Sequence, residues 1–378
     1  MKELREIVKA HKQAVNENKR TALATVVHIE GSSYRQPGAR MLITEDGMLT
    51  GAISGGCLEG DALRKALLVI ANANPVVVTY DTSDEDDSKI GIGLGCNGII
   101  QILIEPVIET EPLNPIKLIE QLFSKREPAV LATLFSLEDR KSKSAGTRYL
   151  LQKNGPELSS VTDNNQLELL RTQAGSVFSK GESSIVAKLI ESKFDSLFFL
   201  ALPSLSIVII GAGNDVIPLA SITYTMGWET TVADGRPNYA TVARFPTATR
   251  VLVTKPSKVL DEIVADDRTV FLLMTHNYNY DLTLLKQLLA TPTIYIGILG
   301  PRKKTIKMLG EIQDESKKLT SEQLDKIYGP TGLDTGAENA EEIALSICAE
   351  INAVINEKFG TKLRTKTDPI HASSNSLR

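Results

Sequence analysis

Two glycine-rich turns that end in cysteine carry the most legible chemistry in this chain: Ser54-Gly55-Gly56-Cys57 and Gly93-Leu94-Gly95-Cys96. Glycine takes positive φ and lets main-chain amides come close to a ligand. A thiol just ahead of a helix sits where the peptide dipole favours its thiolate, the form that binds soft metals. Residues 49–53 read as a strand, and Leu58-Glu59-Gly60-Asp61-Ala62-Leu63 reads as the opening of a helix, so Cys57 falls at that junction. Two thiols in matching settings suggest a site that holds something. The competing reading makes both of them small buried hydrophobes beside tight turns, the usual fate of an unpaired cysteine.

A second group of residues lies further along. Ile207-Val208-Ile209-Ile210-Gly211-Ala212-Gly213 is an apolar strand running into a glycine turn, and Asp234 stands 23 positions after Gly211. In a dinucleotide site the helix-start amides hold the pyrophosphate and the carboxylate holds a ribose hydroxyl. The pattern departs from that arrangement at two positions. Val216 occupies the third glycine position, and Asp215 puts negative charge where a phosphate would bind. The spacing therefore supports the sheet more strongly than it supports bound NAD(P). His276 follows another predicted strand and reads as a proton carrier, a ligand contact, or a loop histidine bonded to backbone. Arg302 and Lys303 follow a further strand and read as phosphate contacts or as solvated charges at a helix start.

These residues need a framework, and the hydrophobic pattern predicts one. Residues 3–18 have a helical stripe, residues 21–29 read as a strand, and Asp46-Gly47 between apolar runs signals a hairpin. The same order recurs 108 positions later: Leu23-Ala24-Thr25 aligns with Leu131-Ala132-Thr133, Gly38 with Gly146, Arg40 with Arg148 and Gly47 with Gly155. We expect one α+β domain over residues 1–195, built of related halves 1–112 and 113–195. The second half lacks a Ser-Gly-Gly-Cys segment and is expected to be scaffold. From residue 205 onward, strands predicted at 206–210, 230–233, 250–253, 269–274 and 293–297 alternate with helices. That alternation predicts a doubly wound parallel sheet over residues 196–357, followed by a flexible tail at 358–378. Cys348 falls among Ile343, Ile347 and Ile351 on a predicted helix and is expected in the core.

Bulk properties narrow the function classes. A chain of 378 residues exceeds one ordinary core and fits two or three domains. Its net charge of −4 argues against nucleic acid or an anionic membrane surface as partner. Three cysteines without paired spacing form neither a disulfide framework nor a structural zinc site, and a reducing cytoplasm is the expected compartment. The apolar stretch 197–211 is broken by Pro203, Ser204 and Ser206, and reads as two buried strands rather than a membrane span. The acidic run Asp84-Glu85-Asp86-Asp87 reads as a solvated loop rather than a metal cage.

Several of these segments together resemble a known family. Gly31-Ser32-Ser33-Tyr34-Arg35, Pro37-Gly38-Ala39-Arg40-Met41 and Gly51-Ala52-Ile53-Ser54-Gly55-Gly56-Cys57-Leu58-Glu59 are similar to the N-terminal signature of the xanthine dehydrogenase accessory factors, the XdhC/CoxI family. Gly93-Leu94-Gly95-Cys96-Asn97-Gly98 is similar to that family's second cysteine turn. Further matches are Asp234-Gly235-Arg236-Pro237, Thr275-His276, Gly297-Ile298-Leu299-Gly300-Pro301-Arg302-Lys303 and Gly332-Leu333-Asp334-Thr335-Gly336-Ala337-Glu338. The resemblance spans residues 20–355 and is weakest over 113–200. It implies a Rossmann-like C-terminal half and a non-catalytic role: binding molybdenum cofactor (a molybdopterin), assisting its sulfuration, and inserting it into a xanthine dehydrogenase-type molybdenum hydroxylase. It further implies a homodimer and places Cys57 and Cys96 as cofactor and metal contacts, with Gly55, Gly56 and Glu59 shaping the first turn. An NAD(P)-dependent oxidoreductase and a docking scaffold for a cysteine desulfurase or the target enzyme remain as alternatives.

Overall fold

The alternation of apolar residues along the first strands dictates a layered arrangement, and the computed structural model shows two compact units, Met1–Pro203 and Ser204–Arg378. It describes residues 1–31, 33–81, 98–190, 194–315 and 318–367. The second cysteine turn, with Gly93, Gly95 and Cys96, and the acidic run 84–87 lie outside the described residues.

In the first unit, α1 (Lys2–Asn16) is followed by β1 (Thr21–Gly31), β2 (Arg40–Thr44), β3 (Leu49–Gly51), α2 (Glu59–Asn72), β4 (Val76–Asp81) and β5 (Gly98–Val107). The chain then repeats the series: α3 (Pro115–Gln121), β6 (Ala129–Phe135), β7 (Gly146–Gln152), β8 (Glu157–Ser159), α4 (Asn164–Lys180), β9 (Ser184–Ile190) and β10 (Phe194–Ala201). The two antiparallel sheets have the same strand order, β3-β2-β1-β5-β4 and β8-β7-β6-β10-β9. Their registers also correspond, because Leu23 pairs with Leu42 as Leu131 pairs with Leu150. Period-2 alternation sorts the faces. Ala22, Ala24 and Val26 pack with Ala62, Ala66 and Val69 of α2, whereas Leu23 and Leu131 share a core with Ile7 of α1 and Ile119 of α3. The first unit extends beyond the boundary expected at residue 195. Asp195 to Ala201 pair along the whole of β6, so the ladder carries the chain through β10 and the division falls after Pro203.

The second unit contains β11 (Ser206–Ile210), α5 (Val216–Thr225), β12 (Glu229–Asp234), β13 (Arg250–Val253), α6 (Val259–Glu262), β14 (Thr269–Leu273), α7 (Tyr278–Leu288), β15 (Tyr295–Ile298), α8 (Arg302–Glu315), α9 (Ser321–Asp325), β16 (Ile327–Tyr328) and α10 (Ala340–Ile355). Its strands are parallel in the order β13-β12-β11-β14-β15-β16, so the winding reverses between β11 and β14. Both faces are covered, which explains the continuous apolar runs. Ile207 and Ile209 pack on Leu219 of α5 and on Ile347, Cys348 and Ile351 of α10. Val208 and Ile210 pack on Leu284 and Leu285 of α7 and on Met308 of α8. Asn339 caps α10 by accepting the Glu342 amide at 2.9 Å.

Candidate functional site

The Cys57 turn is built by a carboxylate reaching back across it. Gly51, with φ of +86°, ends β3 where any Cβ would lie 2.4 Å from the Arg40 carbonyl oxygen, so only glycine fits there. The chain then loops through Ser54-Gly55-Gly56-Cys57 into α2. Glu59 at the start of that helix accepts the Ser54 amide at 2.8 Å, the Leu58 amide at 3.1 Å, and the Ser54 hydroxyl. The Ser54 oxygen in turn accepts the amides of Gly56 and Leu58, each at 3.1 Å. Partial burial opposes ionisation of Glu59, yet these hydrogen bonds hold its carboxyl below the usual carboxylate range. Ser54 is buried, Gly55 and Gly56 are exposed, and Cys57 is half-buried against the α2 core. Cys57 therefore stands at the end of a hydrogen-bonded loop, partly covered by the core beneath α2. The Gly56 amide is committed to the Ser54 oxygen, and the Leu58 amide is shared between that oxygen and Glu59.

Residues of the Gly31–Met41 segment support this loop. Arg35 forks onto Glu3 of α1 through Nη2, at 2.6 and 2.8 Å. The Tyr34 ring is 69% exposed and lies 3.6 Å from where a Gly55 Cβ would stand, which places a surface aromatic beside the cysteine turn. Arg40 is fully buried, donates to the Gly38 carbonyl at 2.9 Å, and stacks 4.8 Å from the Phe199 ring centre. Burial lowers its guanidinium from the ordinary value against the pull of Glu105.

The two halves of the first unit interlock here. Glu105 stands opposite Leu23 as Phe199 stands opposite Leu131, so these two residues are equivalent. A Cβ on Gly38 would fall 2.4 Å from Phe199, and a Cβ on Gly146 would fall 2.8 Å from Glu105. Buried Glu105 accepts the Thr147 amide at 2.9 Å and its hydroxyl at 2.7 Å. Desolvation raises its carboxyl above the usual carboxylate range despite Arg148, Thr147 and Arg40.

In the second unit the dinucleotide-type residues are engaged with one another. Gly211 (φ +121°) lets the chain pass the Met274 carbonyl, 2.4 Å from any added Cβ. Asp234 at the end of β12 accepts the Ala212 amide at 2.8 Å and the Arg236 amide at 2.9 Å. The Arg236 guanidinium forks onto the same carboxylate at 3.0 and 2.7 Å. Partial burial works against ionisation of Asp234, but Arg236 and the Ala212 amide hold it below its ordinary range. Arg244 fills the adjoining space, donating to the Ala212 and Tyr239 carbonyls at 2.6 and 2.8 Å and to Asn214 Oδ1 at 2.8 Å. Val216, at the third glycine position, is fully buried in the helix–sheet core.

Asp215 stands at the N-cap of α5 and faces His276, whose Nε2 lies 3.3 Å from Asp215 Oδ2. His276 is exposed with φ of +55°. The pair bridges the ends of β11 and β14, where the winding reverses. Arg302 is exposed at the first residue of α8, and the side chain held from that turn is Lys304, bonded to buried Asp281 at 2.7 Å. The predicted site residues thus form separate groups: Gly55, Gly56, Cys57 and Glu59 in the first unit; Gly211, Gly213 and Asp234, with His276, in the second. Sequence reasoning quotes Ser54, Tyr34 and Arg236 only as members of motifs, without giving them a role at the site, and does not reach Arg244. Of these, Arg236 pairs with Asp234 only once its side chain has folded back, which its position in the sequence does not reveal. Among the described residues, no group of three or more His, Cys, Asp or Glu is placed to hold a metal, and no helix is long and apolar enough to cross a membrane.

A duplicated α+β unit with a cysteine turn, joined to a Rossmann-type sheet wound from β11, defines the class of protein. Residues 14–81 match the XdhC and CoxI family, and residues 207–351 match the XdhC Rossmann domain. The chain belongs to the XdhC and CoxI family. It is 30% identical to a Bacillus subtilis protein described as a probable xanthine dehydrogenase subunit, covering 89% of this chain and 93% of that one. It is 24% identical to the molybdenum cofactor insertion chaperone PaoD of Escherichia coli, over 91% and 86% of the two chains. A crystal structure described as a xanthine dehydrogenase from Bacillus halodurans superposes with a TM-score of 0.76 at 29% identity, covering 96% of this chain and 98% of that one.

Proposed function

We propose that this protein is a maturation factor that holds molybdenum cofactor as cargo and delivers it to a xanthine dehydrogenase-type molybdenum hydroxylase. The observation that carries this reading is the pinned Ser54–Glu59 loop, which holds a half-buried cysteine two residues from Gly55, where the exposed Tyr34 ring lies. A soft thiolate suits a molybdenum–sulfur centre, and the Tyr34 ring suits the flat face of a pterin. Cys96 joins Cys57 as a contact in this proposal. The protein's own residues bind and orient the cargo and carry out no turnover. Delivery to the hydroxylase, help with sulfuration by a cysteine desulfurase, a cytoplasmic location and a homodimer belong to the same proposal.

The fold of the second unit favours the alternative of an NAD(P)-dependent oxidoreductase. Against it stands Asp234, whose carboxylate is already held by two amides and a guanidinium. Purified protein mixed with molybdenum cofactor should form a stoichiometric complex that weakens in Cys57→Ala and in Cys96→Ala. Unchanged binding in both variants refutes the thiol role. Saturable heat with NAD or NADP and none with the cofactor favours the oxidoreductase instead.

A further inference from the structure

The duplicated fold sets a second loop in the place of the cysteine turn, and that loop lines a cavity. Ser54–Leu58 connects β3 to α2; its counterpart, residues 160–163, connects β8 to α4. The counterpart opens on a cavity of about 690 Å³, within the range of small-molecule sites. Lys143 and Arg148 bring positive charge to its wall, Ser160 and Thr162 bring hydroxyls, and Leu134 and Phe194 give an apolar floor. Arg148, the equivalent of Arg40, is fixed there by donating to the Ala145 carbonyl at 2.9 Å and the Lys143 carbonyl at 3.3 Å. Of the two acids in the lining, Asp163 already caps α4 by accepting the Gln166 amide at 2.9 Å, and Glu111 is partly exposed. Where Arg40 is sealed against Phe199, Arg148 faces the smaller Gly146–Glu105 contact and reaches the cavity.

We propose that the second half is a binding module in its own right, and that this cavity takes a small organic phosphate carrying a flat apolar body. The phosphate bonds to Lys143, Arg148 and the loop hydroxyls, and the body lies on Leu134 and Phe194. This goes beyond the maturation reading and stands apart from Cys57.

The test is calorimetry on the full chain with AMP, CMP and inorganic phosphate as probes. The expected result is saturable heat below about 1 mM for a nucleotide and weaker binding of phosphate alone. Lys143→Gln, on an exposed side chain, should weaken nucleotide binding at least about fivefold, as expected for loss of one charge-assisted hydrogen bond. Ser160→Trp, which fills the mouth, should abolish it, and Cys57→Ser should bind as the unaltered chain does. Three results overturn the proposal: no saturable heat with any probe, binding that survives both Lys143→Gln and Ser160→Trp, or binding lost in Cys57→Ser. The last would transfer the ligand to the cysteine turn. A failure of cofactor binding in the cysteine variants alone leaves this cavity's result unaffected, so the two proposals fail separately.

Discussion

Replacing Glu59 by alanine removes the acceptor of three hydrogen bonds at once: the Ser54 amide, the Ser54 hydroxyl and the Leu58 amide. Hydrogen bonds to an ionised group contribute about 1.5–3 kcal/mol each when buried. Glu59 is only partly buried, so the low end and incomplete additivity apply, giving a loss of about 2–4 kcal/mol for the set. Loss of the negative charge at the start of α2 contributes at the margin of that range. For a unit of this size the melting transition should fall by about 5–10 °C. The only tryptophan, Trp228, belongs to the second unit, so its fluorescence should report an unchanged transition. Circular dichroism and hydrogen exchange over residues 52–60 should show the loss. The sign with pH follows from the depressed Glu59 carboxyl. Its contribution is fully present above the unfolded value of about 4.3 and is lost as pH falls through the folded one. The stability gap between Glu59→Ala and the unaltered chain should therefore close in acid. A change below about 0.5 kcal/mol at pH 7, with exchange at the Gly56 and Leu58 amides unaltered, refutes the carboxylate's role in holding the turn.

Asp234→Ala should destabilise the second unit by about 2–3 kcal/mol through loss of two amide partners, because the exposed half of Arg236 adds little. Its depressed carboxyl likewise makes the unaltered chain lose stability as pH falls below about 4, and the variant's Trp228 urea curve should be flatter with pH. Gly211→Ala should cost about 3 kcal/mol or more in the same assay, since the added carbon lies 2.4 Å from the Met274 carbonyl and φ is positive. Alkylation of the native protein followed by peptide mass spectrometry should label Cys57 and spare Cys348, whose thiol is buried in the core and pushed up to about 12. Equal labelling of the two before unfolding would contradict their placement.

The parallel sheet was legible in the sequence because its strands are buried on both faces and read as unbroken apolar runs. The one strand missed, β16, is two residues long, too short for any periodicity. The hairpin at Asp46-Gly47 follows from turn chemistry, and the duplication from matched glycines and threonines. The division falls after Pro203 because β10 pairs with the whole of β6, a long-range ladder that spacing along the chain does not reveal. The candidate site was legible only in outline. Glu59 reads in sequence as an ordinary acid in a first helical turn, and its grip on Ser54 exists only once the loop has closed. Asp234 has the ribose-binding position, but the arginine that occupies it lies two residues away, and nothing in spacing says which way its side chain folds back. The cavity of the second half draws its lining from the β5–α3, β6–β7 and β8–α4 connections and from β6, β7 and β10, segments too far apart in sequence to suggest a shared wall.

The crosswise seam in the first unit, Gly38 with Phe199 and Gly146 with Glu105, limits how this protein can change. Each copy supplies the glycine notch that the other copy's side chain fills, so drift on one side must be answered on the other. Neither half can be excised as a minimal domain: residues 1–112 alone would leave Arg40 without its aromatic cover, and residues 113–203 would leave Phe199 stranded in water. The copies are thereby free to diverge in their exposed loops, one keeping a thiol and the other a basic cavity, while their shared seam stays fixed.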